Sequence, residues 1–149
     1  MNTTAHPQAA NDRPDETPAL RALLVEDSSD DAELLLAELR RGGFTIEAER
    51  VDTADTMRAA LARRTWDIVF SDHSMPHFSA PAALQVLRES GRDLPFIVVS
   101  ATIGEEVAVA MMKAGVHDYL LKDHLKRLVP VVRRELAEAE DRRQRTRAE

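Results

Sequence analysis

Five times between residues 20 and 139, a short apolar run is followed by a stretch whose apolar residues recur three and four apart. The first kind of spacing reads as a strand and the second as a helix, because each keeps one continuous apolar surface out of water. Ala22, Leu23, Leu24 and Val25 form the first run; Ala32, Leu35, Leu36 and Leu39 form the stripe after it, closed by Gly42 and Gly43. The second run, residues 44–51, alternates Phe44, Ile46 and Ala48 with Thr45, Glu47 and Glu49, which suits a sheet edge with one wet face. A helix over 54–63 follows, with Met57, Ala60 and Leu61 facing inward. Residues 66–72 read as a strand ending in Ser71 and Asp72, and Pro81 fits the first turn of the next helix, where its missing N–H is harmless. Residues 94–100 are almost continuously apolar, as expected of a parallel strand covered on both faces. A helix over 105–114 stops at Gly115, and a short strand over 118–121 leads to Lys122. The last helix starts near His124; Pro130 inside it would cost about 3 kcal/mol, so a separate first turn or a kink is expected. Alternating units of this kind imply an α/β protein with a parallel sheet and right-handed crossovers.

The remaining composition sets limits. We expect a disordered tail over residues 1–19, one domain over 20–138 and a charged extension of the last helix over 139–149. Apolar residues make up 44% of the chain but aromatics only 4%, so the core must be mainly aliphatic. The absence of cysteine removes thiolate metal sites and thiol catalysis. No apolar run approaches the roughly 20 residues that cross a bilayer, and the first residues lack the basic start and apolar centre of a secretory signal, so a cytoplasmic protein is expected. A net charge of −6 argues against nucleic acid or anionic lipid as partner, and the arginines near the end are interleaved with acids, as on a solvated helix.

In open parallel sheets, ligands gather outside the carboxyl ends of the strands. Those ends here carry Glu26 and Asp27, then Ser71 and Asp72, then Ser100, then Lys122. Three carboxylates brought together repel one another unless a cation sits among them, and an all-oxygen set suits Mg²⁺. A lysine and a hydroxyl beside them offer a point charge and a hydrogen-bond donor to a phosphoryl group, and an aspartate can be the nucleophile that accepts it. Taken singly, each has an ordinary reading as a helix cap or solvated surface group; their joint placement is what points to chemistry. His73 and His77 are four apart, but Pro76 between them breaks the helical geometry a metal pair would use.

These residues resemble the receiver domain of two-component response regulators, from about residue 21 to about 136. The resemblance rests on Leu23-Leu24-Val25-Glu26-Asp27, Asp72-His73-Ser74-Met75-Pro76, Val98-Val99-Ser100-Ala101, Lys113-Ala114-Gly115 and Asp118-Tyr119-Leu120-Leu121-Lys122. It implies a flavodoxin-like, doubly wound sheet of five strands in the order 2-1-3-4-5 with five flanking helices. It also implies that Asp72 takes phosphate from a histidine kinase or histidine phosphotransfer protein, without turnover of a separate substrate. Mg²⁺ would be held by Asp27, Asp72 and the Ser74 carbonyl, with Glu26 acting through water. Lys122 would pair with the phosphoryl group, Ser100 and Tyr119 would act as the switch, and Ser74 and Thr102 would tune the phosphate's lifetime. The surface formed by the fourth helix, fifth strand and fifth helix would meet the downstream partner; the alternatives are a homodimer through Leu125, Leu128 or Val129, Val132, Leu136 and Ala139 of the last helix, and a receiver module of a larger sensor, kinase or cyclic-dinucleotide signalling system. Three positions depart from the family pattern: Asp123 stands where proline in a cis bond is usual, Ala80 replaces a glycine, and the acidic pair is Glu-Asp. An aspartyl-phosphate hydrolase would need an acid two residues after the nucleophile, where this chain has Ser74.

Overall fold

A computed structural model describes residues 18–73, 75–102 and 104–148. Strands β1 (Leu20–Val25), β2 (Ile46–Val51), β3 (Ile68–Asp72), β4 (Phe96–Ser100) and β5 (Asp118–Leu121) alternate with helices α1 (Ser29–Arg41), α2 (Ala54–Arg63), α3 (Ala80–Glu89), α4 (Glu105–Ala114) and α5 (Leu128–Ala148). The strands form one parallel sheet in the order β2-β1-β3-β4-β5. The α/β class and strand order are therefore those expected. The tail expected over residues 1–19 lies almost wholly outside the described residues.

Alternate residues of each strand divide the core in two, because successive side chains point to opposite faces of a sheet. Leu23, Val25, Val69, Phe96, Val98 and Tyr119 pack with α2, α3 and Met111 of α4. Ala22, Leu24, Phe70, Ile97, Val99 and Leu120 pack with α1 and α5. The helices begin where short side chains can satisfy their open N–H groups: the Ser28, Thr53 and Ser79 hydroxyls accept from Asp31, Thr56 and Ala82. Gly115, at φ 113°, closes α4 in a conformation that costs glycine little.

The structure refines three expectations. β2 starts at Ile46 and Ala48 is exposed, so this edge strand is wet on more than one face. Trp66 precedes β3 instead of joining it; it is buried and its indole N–H donates to the Ala60 carbonyl at 3.0 Å. Pro130 is accommodated by a separate turn, a 3₁₀ segment over Leu125–Arg127, after which α5 begins at Leu128. Pro130 is thus in the first turn of α5, where its N–H would have had no helical acceptor. Ala80 has negative φ, and the described residues contain no cis peptide bond. Leu128, Val132 and Ala139, expected as a dimer stripe, are buried within this chain's own core.

Candidate functional site

The pleat that divides the core also selects what meets at the carboxyl edge. Asp72 follows Ile68 and Phe70 in parity, Glu26 follows Ala22 and Leu24, and Lys122 follows Leu120, so all three belong to the α1 and α5 side. Neighbouring hydrogen bonds fix their backbones. The Glu26 N–H donates to the Val51 carbonyl at 2.9 Å, and the Lys122 N–H donates to the Ser100 carbonyl at 2.8 Å. Asp72 is the last residue of β3, opposite Val99.

Glu26, Asp27 and Asp72 each bring a carboxylate oxygen within 4.8 Å of the others; Glu26 and Asp72 are buried and Asp27 is exposed. Lys122 Nζ stands 3.0 Å from Glu26, 3.5 Å from Asp72 and 2.6 Å from Asp31 on α1. A second hydrogen bond reaches Glu26 from the Ser28 N–H, at 3.1 Å. Burial pushes the Glu26 carboxyl up from its ordinary value, with Asp72 adding to the effect; Lys122 and the Ser28 N–H reduce it without cancelling it. Burial works against the Lys122 ammonium, but hydrogen bonds to Asp31 and Glu26 and the charge of Asp72 outweigh it and hold Lys122 firmly protonated. The site is a small cleft with Leu24, Leu35, Phe70, Val99 and Leu125 as its apolar wall and the four charged groups Glu26, Asp31, Asp72 and Lys122 along it.

The donor set fits Mg²⁺: three hard carboxylate oxygens, close enough to share one ion, two of them just after β1 and one at the end of β3. An ion among them would also offset the mutual repulsion of the three carboxylates.

The other expected residues are placed differently. Ser100 shares the parity of Phe96 and Val98, on the α2, α3 and α4 side; its buried hydroxyl donates to the Thr102 carbonyl at 2.7 Å and accepts from the Thr102 N–H at 3.3 Å. Thr102 is exposed. Tyr119 is buried on the same side as Ser100, its ring centroid 6.1 Å from that of His73. Ser74 lies outside the described residues, and so do the expectations for its carbonyl and side chain. Asp31 was not foreseen. As an acid in the first turn of a helix it has a sufficient local explanation, and nothing nearby in the chain marks its pairing with Lys122, 91 residues away.

Comparison with known proteins agrees with this geometry. A family model described as the response regulator receiver domain matches residues 22–133. The transcriptional regulatory protein PrrA of Mycobacterium tuberculosis is 36% identical over 102 residues, which cover 68% of this chain and 43% of that protein. This chain therefore spans less than half the length of that relative. A crystal structure of a sensor protein from Polaromonas sp. JS666 superposes with a TM-score of 0.70 at 28% identity, covering 82% of this chain and 99% of that one. The structure of NtrX from Brucella abortus superposes with a TM-score of 0.76 at 24% identity over 89% of this chain and 30% of that one, a likeness of fold.

Proposed function

This chain belongs to the response regulator receiver domain family, and from that premise we propose that Asp72 accepts a phosphoryl group from the phosphohistidine of a histidine kinase or histidine phosphotransfer protein. The observation that carries the reading is the meeting of Glu26, Asp27 and Asp72 within 4.8 Å, with Lys122 Nζ at 3.5 Å from Asp72. A carboxylate oxygen of Asp72 attacks phosphorus in line with the leaving nitrogen. The P–N bond breaks as the P–O bond forms, and the departing imidazole takes a proton from solvent. Glu26, Asp27 and Asp72 would hold Mg²⁺, which supplies positive charge where the phosphoryl oxygens approach a carboxylate. Lys122 pairs with one of those oxygens as a point charge.

The response to phosphate runs through the opposite side of the sheet. Ser100 exchanges its bonds to Thr102 for one to the phosphoryl group, and Tyr119 changes its packing beside His73. Thr102 and Ser74 would tune how long the acyl phosphate lasts. The readout surface is α4, β5 and α5: α4 buries only Met111 fully, while Val107, Val109 and Met112 are 37%, 49% and 45% exposed, an apolar face suited to a protein partner. Among the described residues no helix is long and apolar enough to cross a membrane. The test is incubation with acetyl phosphate or phosphoramidate and Mg²⁺, followed by intact mass. A gain of one phosphoryl group that vanishes in Asp72→Asn is expected; an unchanged wild-type mass, or a gain that survives the substitution, overturns the reading.

A further inference from the structure

Lys122 makes its shortest contact not with the carboxylates of the acidic cluster but with Asp31: 2.6 Å, against 3.0 Å to Glu26 and 3.5 Å to Asp72. Asp31 is held in place independently. Its N–H donates to the Ser28 hydroxyl that caps α1, at 3.1 Å, and Ala32 beside it is buried in the core. The Lys122 backbone is held by Ser100. The ammonium therefore hangs between two fixed points, a helix end and a strand end. We propose that Asp31 is a positioning residue for phosphoryl transfer. It keeps the Lys122 ammonium on the α1 side of the cleft, so that Lys122 does not close onto Asp72 and compete with a divalent cation for it.

The physical argument is one of competition. A lysine ammonium and a divalent cation both seek the Asp72 carboxylate, and the nearer the ammonium lies, the weaker the cation binds. Asp31 gives the ammonium a third anionic partner away from Asp72. The contact is short and charge-assisted, and both groups are part-buried, with side-chain exposures of 20% and 37%. When the phosphoryl group arrives, it offers oxygens to the same ammonium, which then moves from Asp31 towards them. This inference rests on the reading of Asp72 as phosphoacceptor and adds a residue to it.

Asp30 provides an internal control. It is the neighbouring acid in the same first turn of α1 and is exposed, whereas Lys122 pairs with Glu26, Asp31 and Asp72, so Asp30→Asn makes the same change of charge and nearly the same change to the helix end. Mg²⁺ affinity of the unphosphorylated full chain, measured by isothermal titration calorimetry, should fall about three- to tenfold in Asp31→Asn, the scale of one charge-assisted hydrogen bond tempered by solvent. It should fall less than about twofold in Asp30→Asn, where only screened charge is lost. In a Lys122→Met background, Asp31→Asn should have no more effect than Asp30→Asn, because the lysine through which it acts is gone. Phosphorylation of Asp31→Asn by phosphoramidate should be slow at limiting Mg²⁺ and recover at saturating Mg²⁺. Equal effects of the two aspartate substitutions, an Asp31 effect that persists without Lys122, or a phosphorylation defect that excess Mg²⁺ does not restore each overturns the proposal. A wild-type chain that takes no phosphate defeats the phosphoacceptor reading instead, and the calorimetric comparison still decides the role of Asp31.

Discussion

Asp72→Asn should uncouple the protein's response to Mg²⁺ from the stability of its fold. Without the ion, Asp72 feels repulsion and attraction of similar size. Each carboxylate neighbour, taken at 4.8 Å, repels it by about 3.5 kcal/mol, and Lys122, at 3.5 Å, attracts it by about 4.7 kcal/mol, for an effective dielectric of about 20. The balance is an excess repulsion of about 2 kcal/mol, which the exposure of Asp27 reduces further. The amide should therefore leave stability in EDTA within about 1 kcal/mol of wild type, about 4 °C in Tm for a domain of this size. The ion changes this. A ligand that binds only the folded state at a hundred times its Kd stabilises by about 2.7 kcal/mol, or about 10 °C. Differential scanning fluorimetry across a MgCl₂ series, with NaCl matched for ionic strength, should show that rise for wild type and less than about a third of it for Asp72→Asn. A variant that keeps the full Mg²⁺ response refutes the assignment of Asp72 to the ion. A variant that loses more than about 3 kcal/mol in EDTA refutes the balance of charges, because such a loss means that Lys122 is left without adequate compensation.

Three further perturbations test other parts of the structure. Glu26→Gln should gain stability over wild type as pH rises in EDTA: a carboxyl held above 4.5 in the folded state contributes stability that is present below 4.5 and lost as pH climbs through the folded value. Urea midpoints at about pH 4 and pH 7 check this, and a wild type that gains on the variant between them contradicts it. Glu135 is 4% exposed on α5, with Oε1 lacking a hydrogen-bond partner and Oε2 at 3.3 Å from Arg134, which also pairs with Asp118. Glu135→Leu should raise stability by about 1–3 kcal/mol in urea denaturation, and a loss would show that the carboxylate is better satisfied than its contacts indicate. At Gly42, an added Cβ would lie 2.5 Å from Val129 Cγ2 and 3.0 Å from Cγ1. Gly42→Ala should cost about 1–3 kcal/mol by overpacking the contact of α1 with α5, and an unchanged Tm would show that α5 shifts freely there.

Fold and site were legible in the sequence to different depths. Two periodicities suffice for an α/β sheet, and the runs at 22–25, 66–72 and 94–100 with the short strand at 118–121 mark the strand ends, so the ends carrying Glu26, Asp72 and Lys122 could be named before any coordinates. The edge strand was less legible. β2 buries fully only Val51, and a strand with so little apolar demand leaves its boundary and alternation weakly specified. Pro130 forced a break in the last helix, but whether by kink or separate turn depended on how Leu125 and Leu128 pack against α1 and β5, which no local pattern states.

The site itself was readable as a set of strand ends and unreadable as a set of contacts, and the pleat explains both. Neighbouring strands deliver their last residues to one edge whatever their side chains do, so the sequence groups Ser100 and Lys122 with Asp72 by position along the sheet. Parity then separates them. Ser100 turns to the side of α3 and α4 and spends its hydroxyl on Thr102, while Lys122 turns to the side of α1, where Asp31 waits. The same division separates the proposed phosphoryl site from its proposed reporters: Asp72 faces the α1 and α5 layer, whereas Tyr119 and the exposed apolar face of α4 belong to the other. A signal that starts at Asp72 must therefore cross the sheet edge to reach α4. Ser100 stands where it can do so, because it occupies the end of the strand beside Asp72 and points to the far layer. Holding Lys122 on the α1 side gives that crossing to Ser100 alone among the two expected phosphoryl partners, and this is why the lysine and the hydroxyl should fail differently when removed: Lys122→Met by weakening phosphoryl transfer and its charge balance, Ser100→Ala by leaving phosphorylation intact and the α4 surface unchanged.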